Sequence, residues 1–149
     1  MMLNSLKECP YYLISRVSLL VTAALKKEFA SSGVERVKPA YLCVLMSLWQ
    51  EDGLKVIELS KKAGLEPSTM TGLLDRMERD ELVERTTDLT DRRVLRIHLT
   101  KIGRQIRDPV LNAVERVITE VFAGIPQEGI SQTKKFLRQV LANANTENR

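Results

Sequence analysis

The sequence predicts a mainly α-helical fold with one small β-hairpin, on three observations. Apolar residues recur at three- and four-residue intervals through both ends of the chain, two short helical patterns adjoin near its middle, and two β-rich runs around a polar loop follow at once. At 149 residues and 44% apolar content the chain fits one ordinary domain, or a compact domain with helical extensions, and can build a core.

From Ser5 to about Phe29, residues Leu6, Leu13, Val17, Leu20, Val21, Ala24, Leu25 and Phe29 keep the spacing of an amphipathic helix, with Pro10 near its beginning. Ser31, Ser32 and Gly33 end it. Pro39 restarts helix from Ala40 to Gln50, and the almost unbroken apolar run Tyr41 to Trp49 should be buried on most sides, Cys43 with it. After a turn at Glu51 to Gly53, helix signals run over Lys55 to Ala63, break at Gly64 and Leu65, and resume at Glu66, Pro67 and Ser68. The β-rich runs are Leu82 to Thr86 and Val94 to Leu99, and the loop Thr87 to Arg93 between them is crowded with turn residues and charge. Alternation should turn Leu95, Ile97 and Leu99 inward and Val94, Arg96 and His98 outward. Thr100 suits the N-cap of a long helix to about Ala123, striped by Ile102, Ile106, Val110, Val114, Val117, Ile118, Val121 and Phe122 and kinked at Pro109. Beyond Gly124 and Pro126 a last helix spans about Gln127 to Ala144.

Two short helices followed by a hairpin form a winged helix-turn-helix, the order of parts with which small proteins enter a DNA groove. The expected organisation is an N-terminal dimerisation helix (1–38), a winged helix-turn-helix (39–100) and C-terminal dimerisation helices (101–149). The terminal stripes exceed what a lone winged helix can cover. At about 25 cal/mol per Å2 of apolar surface, leaving them in water forfeits many kcal/mol, so they are expected to interlock with a second copy in a homodimer.

Charge is concentrated. Between Arg85 and Arg107 lie seven basic residues and two acidic ones, a net +5 in a chain whose total is +4, so the remainder sums to −1. Such a field draws a polyanion to one element. The same inventory disfavours other classes. Two cysteines make no disulfide framework, one histidine leaves no familiar metal site, and neither a Gly-rich phosphate loop nor a nucleophile with a nearby histidine suggests an enzyme or a cofactor. No run approaches the roughly 18 apolar residues of a membrane span, and a cytoplasmic location is expected.

In the second helix Met70, Leu73, Leu74 and Met77 repeat at i, i+3, i+4 and i+7 and should face the core. The other face carries Ser68, Thr69, Thr71, Gly72, Asp75, Arg76 and Arg79. The hydroxyls lie where recognition helices meet base edges, and the arginines lie farther along, within reach of phosphates. Gly72 either permits close approach or leaves direct readout weak. The wing tip presents Arg92 and Arg93, suited to a narrow minor groove, with Arg85 and Arg96 as further cations on the strands. Asp91 would repel phosphate unless paired, so it is expected to accept hydrogen bonds from Arg93 or Arg76.

Leu82, Val83, Glu84 and Arg85, then Asp91, Arg92 and Arg93, then Ile97, His98, Leu99 and Thr100 followed by Gly103, resemble the wing signature of the MarR family of bacterial transcription regulators. Pro67 to Thr71 leading to Leu74, Asp75, Arg76 and Met77 is similar to that family's recognition helix. The likeness extends over essentially the whole chain. It implies a sequence-specific regulator of double-stranded DNA, bound as a dimer to a pseudo-palindromic operator, often a repressor released by a small phenolic or other aromatic ligand or by thiol oxidation. Asp91 and Arg93 take the aspartate and arginine positions of the wing motif. The family's ligand cleft implies Tyr12, Arg16, Tyr41 and Trp49 as lining. Cys9, with Tyr11 and Tyr12 close by, is the candidate redox cysteine. Two alternatives stay open: a winged helix used only for protein contacts, and a thiol sensor built on Cys9.

Overall fold

The computed structural model describes residues 5–146. They form α1 (Pro10–Ser31), α2 (Leu42–Gln50), β1 (Leu54–Lys55), α3 (Val56–Ala63), α4 (Pro67–Arg79), β2 (Val83–Thr87), β3 (Leu95–Leu99), α5 (Lys101–Gln105), α6 (Arg107–Val121) and α7 (Gln127–Thr146). The chain divides into two compact units, residues 1–117 and 118–149.

The first unit holds one core. Leu25 and Phe29 of α1, Tyr41, Val44, Leu45 and Leu48 around α2, Leu59 of α3, Met70, Leu73, Leu74 and Met77 of α4, Ile97 and Leu99 of β3, and Val110, Ala113 and Val117 of α6 are all buried. All four apolar positions expected to face inward on α4 do so. Pro10 opens α1 at its first turn, where a missing N–H costs nothing, after a short 3-10 turn at Leu6–Glu8. At the other end of α1, Arg116 donates to Glu28 Oε1 at 2.7 Å and to Ser32 Oγ at 2.9 Å. The Arg116 hydrogen bond first, and then one that the Ser32 hydroxyl donates to Glu28 Oε1 at 2.9 Å, hold the Glu28 carboxyl below its ordinary pKa.

The sheet is antiparallel in the order β1, β3, β2, with Leu54 opposite Ile97 and Arg85 opposite Ile97 from the other side. The two-residue strand β1 was not foreseen, since so short a run carries no periodicity. Gly64 caps α3 in the left-handed region at φ 67°, and Glu58 accepts from the Lys55 N–H at the helix start. Thr100 caps α5 as expected, its Oγ1 accepting from the Gly103 N–H at 3.0 Å. The long helix expected after it is broken rather than kinked. Helix α5 ends at Gln105 and α6 begins at Arg107. Pro109 can neither donate to the Gln105 carbonyl nor avoid it, so the break falls three residues before the proline.

Much of α1 is apolar and uncovered: Tyr11, Leu13, Ile14, Val17, Leu19 and Leu20 are exposed. In the second unit, Phe136, Leu137, Val140 and Leu141 of α7 are exposed as well. Among the described residues no helix is long and apolar enough to cross a membrane.

Candidate nucleic-acid interface

Helix α4 is built to present one face outward. Glu66 stands at its N-cap and Pro67 at its first position, so the fixed φ of proline starts the helix beside the turn at Gly64 and Leu65. With Met70, Leu73, Leu74 and Met77 anchored below, Ser68, Thr69, Thr71, Asp75, Arg76 and Arg79 are exposed and Gly72 is half-buried. Thr71 donates its hydroxyl to the Pro67 carbonyl at 3.0 Å and keeps its oxygen lone pairs outward as acceptors. A Cβ built on Gly72 meets nothing within 4 Å, so no neighbour in the chain demands glycine there.

The wing is braced from inside. The Asp88 N–H donates to the Val94 carbonyl at 2.9 Å and the Val94 N–H to the Asp91 carbonyl at 3.0 Å, closing the loop. The Asp88 side chain is buried beneath it, accepting from the Thr90 N–H at 3.3 Å and from Arg96 Nη2 at 3.4 Å. The Thr90 N–H is the main cause, with Arg96 in support, that holds this carboxyl below its usual range. At the tip Arg92 and Arg93 are exposed and have no side-chain partner among the described residues, and Leu89 stands fully in solvent at 101% relative exposure.

Several expected site residues prove to be occupied within the fold. Arg85 does not face outward as a free cation. Its side chain is only 23% exposed, and its guanidinium joins Asp75 Oδ1 at 2.7 Å, Glu78 Oε2 at 2.5 Å and the Thr71 carbonyl at 3.4 Å. Burial works against its charge, but the two carboxylates outweigh it and raise its pKa. Arg96, expected outward, is half-buried between the Gly53 carbonyl, 2.8 Å from Nη1, and Asp88. Both are braces: Arg85 ties β2 to α4, and Arg96 ties β3 to the turn before β1. Asp91 does accept from Arg93, but from its backbone N–H at 3.0 Å rather than its guanidinium. That Asx turn leaves the Arg93 side chain free. Ile97 and Leu99 point inward as expected, whereas Leu95 is 42% exposed. Leu95 pairs with Thr87 beyond the end of β1, where the hairpin has outrun the core.

Tyr41 and Trp49, two of the residues expected to line one ligand cleft, border different recesses. Tyr41 is buried, donates its hydroxyl to Asp80 Oδ2 at 2.6 Å, and borders a recess of about 410 Å3 with Lys38, Arg76, Arg79 and Asp80. Burial first, and then the Asp80 hydrogen bond, push the Tyr41 phenol up to about 12. Trp49 donates Nε1 to the Gly103 carbonyl at 2.9 Å and borders a smaller groove of about 100 Å3 with Met46, Gln50, Arg107 and Leu111. Tyr12 is half-buried and Arg16 exposed on α1. Cys9 is the N-cap of α1, and both it and Cys43 are half-buried free thiols, so Cys43 is less enclosed than its apolar surroundings in sequence suggest. Among the described residues no cluster of His, Cys, Asp and Glu is arranged to hold a metal. Lys38 was missed by sequence reasoning. It stands before Pro39, away from the reader in sequence, and only the fold brings it beside Arg76 and Arg79.

Comparison with known proteins agrees with this architecture. A profile of the MarR family matches residues 39–95, the span from the turn just before α2 to the start of β3. The HTH-type transcriptional regulator YsmB of Bacillus subtilis (strain 168) is 36% identical over 104 residues, covering 70% of this chain and 71% of that one. The HTH-type transcriptional repressor MdtR of the same organism is 29% identical over 139 residues, covering 91% and 90%. Among solved structures, CouR from Rhodococcus jostii RHA1, bound to p-coumaroyl-CoA, superposes with a TM-score of 0.76 at 30% identity, covering 92% of this chain and 94% of that one. The chain, with its winged helix-turn-helix and exposed reading face, belongs to the MarR family and is a DNA-binding transcriptional regulator.

Proposed function

We propose that the protein binds a pseudo-palindromic operator as a homodimer and acts as a ligand-responsive repressor. One observation carries the reading: a helix with a hydroxyl-bearing outer face stands next to a braced wing whose tip arginines are unpaired. Ser68, Thr69 and Thr71 meet base edges in the major groove, Gly72 lets the helix approach closely, and Arg92 and Arg93 enter the minor groove. Lys38, Arg76 and Arg79, gathered around one recess, contact phosphates. The uncovered apolar residues of α1 and α7 support the dimer, which sets two readers about one helical turn apart. Repression is suggested by the likeness to MdtR, and control by an aromatic acid or its thioester by the likeness to CouR.

We assign the ligand to the groove at Trp49 and Arg107. Its volume of about 100 Å3 is below the roughly 300 Å3 of a small-molecule site, so the second chain or a shift of Met46 must enlarge it. Trp49 is the only tryptophan in the sequence. Titration with 4-hydroxycinnamate should therefore quench its fluorescence in the wild type and not in Arg107→Ala; equal quenching in both rejects the groove.

The DNA reading is tested on a duplex selected by the protein from a random pool. If a dimer neutralises about six to ten phosphates, affinity falls by roughly three to five decades between 50 and 200 mM salt. A protein-interaction module would select no duplex. Solution scattering that finds a stable single-chain particle would remove the dimer.

A further inference from the structure

We infer that Leu89 is an apolar finger that packs against the deoxyribose walls of the minor groove, a contact that rests on the wing reading given above. Leu89 is the most exposed of the large apolar side chains among the described residues, at 101%. A lone exposed leucine is ordinary on a protein surface, and exposure alone assigns it nothing. The difference here lies in the frame that holds it.

On one side stands Asp88, its carboxylate buried and its N–H bonded to the Val94 carbonyl. On the other stands Thr90, whose N–H and hydroxyl both reach back to Asp88 Oδ1, at 3.3 and 3.4 Å. The backbone on either side of Leu89 is thus tied to one buried anchor, and the side chain between them is directed into solvent with nothing of its own chain to cover it. Two residues farther on, the Asp91 turn holds the backbone of Arg93 and leaves the Arg92 and Arg93 side chains free. One rigid tip therefore carries two cations and one branched apolar group.

That combination fits a single surface. Minor-groove phosphates attract the guanidinium groups, and the sugars lining the groove offer the C–H surface against which leucine is relieved of water. A site made for phosphate alone would gain nothing from the leucine. A purely apolar protein partner would have to desolvate Arg92 and Arg93.

The test uses the full-length dimer and a duplex selected by the wild type. Leu89→Ala removes no packing and should leave the melting temperature unchanged. Its affinity should fall by roughly tenfold or more, as expected for apolar side chains left in water, with the slope of log K against log salt unaltered because no phosphate contact is lost. Hydroxyl-radical footprinting, which reports sugar hydrogens at the minor-groove edge, should lose protection at the wing positions alone. Arg93→Ala is the control and should flatten the slope by about one for each arginine that served a phosphate. Leu89→Ala at wild-type affinity, with Arg93→Ala weakened, overturns the inference and leaves the wing reading standing. Wild-type binding by both variants overturns the wing reading itself. A changed slope in Leu89→Ala also overturns the inference, because an apolar contact releases no counterions.

Discussion

Replacing Arg85 by methionine separates bracing from DNA contact. The sequence groups Arg85 with the cations of the wing, but its guanidinium is spent on Asp75 and Glu78, and its side chain is 23% exposed. Methionine keeps much of the aliphatic stem and removes only the head. The two carboxylates are 58% and 43% exposed, so water takes them back when the arginine is gone and no buried charge is orphaned. The loss therefore lies near the exposed-pair range of about 0.2–1 kcal/mol per pair, raised by the fact that both pairs share one ordered side chain. A total of about 1–2 kcal/mol follows, which for a domain of this size lowers Tm by roughly 3–8 °C. Scanning calorimetry or thermal circular dichroism gives the first reading, and a salt titration of DNA binding gives the second. Arg85→Met should lower Tm and keep the salt slope, while Arg93→Ala should do the opposite. An unchanged Tm with a slope flattened by about two, one for each copy in the dimer, would show that Arg85 leaves its carboxylates for a phosphate, and the bracing argument would fail.

Gly72→Ala should raise stability by about 1 kcal/mol, because the helix gains propensity and the new methyl meets nothing; weakened DNA binding in the same variant would mark the close approach that the bare face permits. Gly103→Ala should be severe. Its Cβ would lie 2.1 Å from the Leu82 carbonyl oxygen, a backbone atom that cannot swing aside, and a loss of at least about 3 kcal/mol is expected in urea unfolding. In ultraviolet titration the Tyr41 phenol should ionise near pH 12, above the ordinary value of 10. Its folded pKa lies above the ordinary value of 10, so the stabilisation it provides is present below pH 10 and is lost as pH rises from 10 to about 12. Tyr41→Phe should abolish that alkaline limb.

The parts of the fold legible in sequence were those with a long period or strong punctuation. Met70, Leu73, Leu74 and Met77 named the buried face of α4, and Gly64, Pro67 and Thr100 marked helix ends. Strand β1 was invisible because two residues show no alternation; its partner, Ile97, lies more than forty residues away. Leu95 kept the alternation yet stayed exposed, since period tells which face a residue takes but not where the core ends. The candidate site was legible as composition and not as pairing. Arg85 and Arg93 look alike in the sequence, and only the acids that the fold brings within reach distinguish the braced side chain from the free one. Lys38 shows the converse, a cation whose role depends on where α2 begins relative to the end of α4.

The sorting of cations limits how steeply binding can depend on salt. Of the basic residues between Arg85 and Arg107, Arg85 is held by Asp75 and Glu78, Arg96 by Asp88, Arg104 by the Leu99 carbonyl with Asp52 at 3.8 Å, and Arg107 by Asp108. Lys101 is exposed at the start of α5, outside both faces; Arg92 and Arg93 remain at the wing tip, and the recess contributes Lys38, Arg76 and Arg79. If each neutralises one phosphate, a dimer makes about ten such contacts, and the slope of log K against log salt from these two faces is about −9. Lys38→Gln, which should not disturb the core, would flatten it toward about −7, since two copies are lost. A wild-type slope beyond about −11, more than Lys101 of each copy could add, would mean that the paired arginines release their carboxylates on binding. Such a release would loosen the ties from β2 to α4 and from β3 to the turn before β1, so the wing would have to move relative to the reading helix whenever DNA is bound.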